Sequence, residues 1–111
     1  ISQFNLRGIK AVCEYLGIRT QIIDSSEGMT TLKKGDGLKE ITKKLGGDTY
    51  INALGGQSLY HKDDFKNSGI DLWFVKMGDV DFGNPYASML DLMLTYPKAH
   101  IQEQLLKYTL I

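Results

Sequence analysis

Asn52, Gly55, Gly56 and Tyr60 stand close together in the stretch 52–60, between a β-branched run and a helix signal. These residue types suit a small polar ligand. Paired glycines let a main chain approach a phosphate or pyrophosphate closely, and the N–H groups of a following helix start would supply contacts, so a nucleotide-sugar would suit such a place. The plain alternative is a turn that needs positive φ. Asn52 at a strand end either offers its carboxamide to a ligand hydroxyl or caps the loop. His61, next to Tyr60, could exchange a proton near neutral pH, or it is an exposed histidine at a helix start. Asp24 and Ser25, followed by Ser26, close an earlier β-like run and are either ligand contacts or turn formers. No G-x-G-x-x-G or Walker pattern is present. The two histidines, His61 and His100, are far apart and the one cysteine, Cys13, falls on an apolar stripe, so no metal spacing and no nucleophile with a base beside it emerges. Catalytic residues are therefore unassigned, and no cofactor or metal is expected.

The elements that would position these groups follow from periodicity. Ile9, Val12, Cys13 and Leu16 share one helix face within 4–16, and Gly17 stands where a left-handed cap belongs. Residues 18–23 are rich in β-branched side chains and predict a first strand, after which 27–37 reads as a long loop. Asp36 as N-cap and Gly46-Gly47 as stop bracket a second helix carrying Leu38, Ile41 and Leu45. A strand over 49–54 precedes the glycine pair. A short helix over 61–68, with Asp63 and Asp64 in its first turn, ends at Gly69. Residues 70–75 form an unbroken apolar strand of the kind covered on both faces. Past a loop over 76–86, Ser88 with Asp91 resembles a capping box before the apolar segment 89–94, which is either core or an interface. Pro97 opens a final helix in which Ile101, Leu105 and Tyr108 share a face, while His100 lies on no evident cluster and reads as solvent-facing.

The order α, β, α, β, α, β, α, α predicts a three-layer αβα domain with a small, mainly parallel, Rossmann-like sheet and two closing C-terminal helices. Parallel strands would bring Asp24, Ser25 and Asn52 to one sheet edge, as a shared cleft. Such a small sheet leaves edges that a missing upstream segment or a second copy would cover.

Composition bounds the function. With 42% apolar, 10% aromatic and 23% charged residues in 111, the chain has the make-up of one globular domain. Its 13 Lys and Arg balance 13 Asp and Glu, so the field that gathers nucleic acid is missing. No run nears the roughly 18 apolar residues of a membrane span. A single cysteine fits a reducing compartment, which points to the cytoplasm. Because Ile1 opens directly into an apolar pattern, residues 1–111 are expected to be the C-terminal fragment of a longer protein.

A resemblance adds to this reading. Tyr15-Leu16-Gly17-Ile18-Arg19-Thr20, then Leu45-Gly46-Gly47-Asp48-Thr49-Tyr50-Ile51-Asn52, Gly55-Gly56, Leu59-Tyr60, Phe65 and Gly69-Ile70 resemble the WbqC-like family of bacteria. Ser88-Met89-Leu90-Asp91-Leu92-Met93 and Leu106-Lys107-Tyr108-Thr109-Leu110-Ile111 resemble the end of the same family. The resemblance implies a role beside O-antigen and capsule genes, making or modifying a surface sugar or its acyl or amino substituent. It also implies a Gln-Pro-rich aromatic segment ahead of these residues, and if that segment carries catalytic groups, residues 1–111 alone would be inactive. The expectation is a protein of unassigned reaction, possible as a transferase, that handles an activated sugar or an acyl or amino donor in polysaccharide biosynthesis. Asn52, Gly55, Gly56, Asp24, Ser25 and Tyr60 would be its ligand contacts. The rival is a non-catalytic scaffold that forms a homodimer through the Met-Leu helix.

Overall fold

A computed structural model describes residues 2–24 and 28–111, which fall into two compact units. Residues 28–77 and 108–111 make the sheet-bearing unit, and residues 2–24 and 78–107 make the helical one.

In the sheet-bearing unit the elements are α2 (Lys34–Lys44), β1 (Thr49–Ala53), a 3₁₀ segment (Leu54–Ser58), α3 (Lys62–Asn67), β2 (Asp71–Met77) and β3 (Tyr108–Leu110). Strand order is β1-β2-β3, with β1 parallel and β3 antiparallel to β2. Alternation along β1 and β2 sends Tyr50, Asn52, Leu72 and Phe74 to one face. There Phe65 of α3 is fully buried with Ile70, Leu72 and Phe74, and Leu38, Tyr50 and Tyr60 pack around them. Tyr50 stacks on the Phe65 ring at 5.7 Å and Tyr60 meets it edge-on at 6.1 Å, both favoured aromatic geometries. The turns that join these elements are set by Gly46 and Gly69, at φ of 75° each, which L side chains rarely adopt.

Four expectations change here. Residues 18–23 form no strand, and the sheet gains Tyr108–Leu110 in place of them, so it is a mixed sheet and not a mainly parallel one. Tyr108 is thus a strand residue, because the last helix ends in a turn where the Leu106 and Lys107 N–H groups reach back to Glu103 and Gln104. β2 is covered on one face only, with Trp73 outward and 38% exposed. Asp36 is not an N-cap either: α2 begins earlier, with Lys33 at the cap and Lys34 in the left-handed region at φ 54°. Gly37 in that first turn is buried with the Leu32 carbonyl where a Cβ would stand, 2.7 Å from it, so only glycine lets the preceding loop close down.

The helical unit holds α1 (Ser2–Leu16), α4 (Met89–Thr95) and α5 (Lys98–Leu105). Gly17, at φ 73°, ends α1 as the sequence predicts. Ser88 caps α4 by accepting the Asp91 N–H at 3.3 Å, also as predicted. Leu16, Leu92 and Ile101 are the buried apolar residues. The irregular stretch 78–87 is held by side chains: Gln104, 2% exposed, accepts the Asp81 N–H at 2.7 Å, and the Tyr96 hydroxyl accepts the Gly83 N–H at 2.7 Å. His100 corrects its expectation, for it is half-buried, stacked on Tyr96 at 5.0 Å and edge-on to Phe82, with Nε2 2.8 Å from the Asp81 carbonyl. Among the described residues no helix is long and apolar enough to cross a membrane.

Candidate functional site at the carboxyl end of β1

β1 delivers Asn52 and then the 3₁₀ segment to the end of the parallel pair, where Ala53 lies opposite Val75 of β2. The two glycines there differ. Gly56 is buried, and a Cβ on it would stand 3.0 Å from the Asn52 side chain and 3.4 Å from Phe74, so its small size lets the turn seat on the core. Gly55 is exposed, and a Cβ on it would meet nothing within 4 Å. Neither has positive φ, so the turn does not need glycine for backbone reasons. The Gly56 carbonyl accepts the Leu59 and Tyr60 N–H groups at 2.9 and 3.0 Å, which folds Tyr60 back over Phe65. Asn52 does cap its own loop: Oδ1 accepts the Ala53 N–H at 2.7 Å.

The start of α2 reaches the same place. A Cβ on Gly35 would lie 3.6 Å from the Tyr60 ring, 3.8 Å from Phe65 and 3.9 Å from the Asp64 carboxylate. α2 carries no side-chain cap, and Lys33 and Lys34 flank its first turn. Beside it Lys39 bridges two carboxylates, Asp36 at 3.0 Å and Asp64 at 3.0 Å, and its ammonium lies 5.6 Å from the Phe65 centroid. Hydrogen bonds to Asp64 first and Asp36 second hold the Lys39 ammonium above its ordinary range. Burial, and then the neighbouring Tyr60, raises the Tyr50 phenol. This lysine bridge was invisible in the sequence, since Lys39 and Asp64 are 25 residues apart. Behind it a hollow of about 320 Å³ is lined by Leu32, Asp36, Lys39, Glu40, Lys43 and Ser68.

Asn52, Gly56 and Tyr60 are therefore brought together, with Gly55 open beside them. Asp24 belongs to the other unit, in irregular chain, where it pairs with Lys10 at 3.3 Å. With no strand over 18–23, Asp24 does not stand at a strand end as Asn52 does. Ser25 lies outside the described residues. His61 is exposed at the start of α3 and makes no side-chain cap. Among the described residues no three His, Cys, Asp or Glu side chains gather as a metal ion would require.

A sheet with one parallel pair, helices on the core face and an open turn at the strand ends defines a mixed α/β protein. The chain belongs to the WbqC-like protein family, whose sequence profile matches residues 1–103. No curated protein matches it. No solved structure matches it either.

Proposed function

We propose that this WbqC-like chain serves bacterial surface-polysaccharide assembly by binding an activated sugar, or an acyl or amino donor, at the carboxyl end of β1. The observation that carries the reading is the open Gly55 main chain, set between Asn52 and Tyr60 at the end of a parallel strand pair, where α/β proteins hold ligands. Asn52, Gly55 and Tyr60 are the contacts, with Gly56 seating the turn beneath them, and the uncapped start of α2 beside Tyr60 offers free N–H groups, its Lys33 and Lys34 set against Asp36 and the nearby Asp64. The activity such binding would serve is group transfer from that donor in the cytoplasm. The pathway is the one that the resemblance to the WbqC-like family implies, and the family match over residues 1–103 gives the kinship alone.

Thermal unfolding against a panel of nucleotide-sugars and acyl donors tests it. A true ligand at about a hundred times its Kd should add about 2.7 kcal/mol. Gly55→Ala has room for its methyl and no positive φ to strain, so it should fold normally yet weaken donor binding. Unchanged affinity in that variant would remove the site assignment.

A scaffold that dimerises through α4 is the second reading. It is favoured by Leu90 and Leu94, 62% and 90% exposed, beside an apolar hollow of about 530 Å³ that includes Phe4, Ile9 and Met89. Lack of a response to every donor, with self-association abolished by Leu94→Glu, would favour it.

A further inference from the structure

The two faces of the sheet are unequal, and the bare one has the chemistry of an interface core. Register places Ile51 opposite Trp73, Ala53 and Leu110 on either side of Val75, and Met77 opposite Tyr108, all on the face away from Phe65. Ile51, Trp73, Met77, Tyr108 and Leu110 are 38–51% exposed. Such aromatic and methionine content, with no charged residue among the five, resembles the core of a contact surface. The paired Thr49 and Asp71 bound it at one end as a polar rim. Lys62, whose ammonium lies 4.4 Å from the Trp73 centroid, stands at that same end.

We infer that a second copy of this chain covers that face, sheet against sheet, in a symmetric dimer. Five half-exposed side chains of about 200 Å² each in full present on the order of 450 Å² per copy. Two copies thus bury about 900 Å², and adjoining Ala53 and Val75 raise this toward roughly 1,000 Å², the lower bound for a specific contact. Two twisted sheets pack face to face in aligned fashion with their inner side chains interdigitating across about 10 Å. The 13 basic and 13 acidic residues leave no net charge to hold two copies apart. An area at that lower bound fits a weak, reversible dimer. This is independent of the donor site and uses a different surface from α4.

The only tryptophan in the chain, Trp73, lies on the face and reports on it. Sedimentation velocity of the 111-residue chain over roughly 1 to 200 µM should show dimer, and Trp73 emission should move to the blue in step with the dimer fraction. Ile51→Lys and, separately, Met77→Lys should each weaken association at least about tenfold while circular dichroism stays native, and Leu94→Glu on α4 should leave it unchanged. A monomer at every concentration overturns the inference. So does a dimer whose Trp73 emission never moves, or one that withstands both lysine variants and is lost in Leu94→Glu. Using two lysine variants keeps the result decisive should one fail to fold.

Discussion

The sheet-bearing unit and the helical unit are held in order by different means. The first packs aromatic rings around Phe65, behind a regular strand pair. The second has three buried apolar side chains and ties its long irregular stretch with the polar ends of Gln104, Tyr96 and His100. Apolar packing is non-directional and tolerates small shifts, whereas a polar tie is directional, and the partly buried one from Gln104 also costs desolvation of its partner when it is lost. The contrast explains why the candidate site sits on the first unit: an open turn keeps its shape only on a rigid strand end.

The largest effect should come from Phe65→Ala, which removes the ring that β1, α2 and α3 share and should cost about 3–5 kcal/mol. Denaturant unfolding followed by Trp73 fluorescence reads this unit directly. A loss below about 1 kcal/mol would mean the aromatic core is not what holds it. Next, Gln104→Leu should cost about 1–3 kcal/mol by stranding the Asp81 N–H, and hydrogen exchange should show 78–87 opening before β2. Equal protection of both segments would erase the contrast between the units. Ser88→Ala should cost about 1 kcal/mol through the lost α4 cap, measurable by circular dichroism.

The smallest effect is a pH dependence in the sheet-bearing unit. Glu40 accepts the Thr30 hydroxyl and pairs with Lys44 at 2.9 Å, and these two contacts, in that order, hold its carboxyl below 4.5. A depressed folded value means the stabilisation is present above about pH 4.5 and fades as pH falls through the folded value. Lys39 has the opposite sign, its contribution being present below about 10.5 and lost as pH rises through its raised folded value. Glu40→Gln should flatten the acid limb of a stability-against-pH curve and leave the alkaline limb alone. A flattened alkaline limb would show that the two groups are not independent.

Much of the sheet-bearing unit was legible because its signals are local. Thr49–Ala53 and Asp71–Met77 carry β-forming runs, and Gly46 and Gly69 mark helix ends at left-handed φ. Residues 18–23 carry the same β-branched signal and form no strand, since β-propensity reports a fit to neighbouring strands, and none pairs with them. Tyr108 misled in the other direction: it continues the spacing of Ile101 and Leu105, yet the helix ends at Leu105 and the turn at 106–107 separates the two. Asn52, Gly55, Gly56 and Tyr60, singled out by types and spacing, do lie together at the end of β1. The division of labour between Gly55 and Gly56 was not legible, because it depends on Phe74, in a different strand. His100 escaped for a like reason, its ring partners Phe82 and Tyr96 lying in separate segments.

Met77 and Tyr108 are paired neighbours, and immediately beyond them the Gly78 N–H donates to the Lys107 carbonyl at 2.7 Å. In topological terms β2 and β3 are a hairpin whose connecting loop has grown to residues 78–107, pinched shut at its base. A two-residue Asn-Gly link in its place is a natural starting point for a minimal version of the sheet.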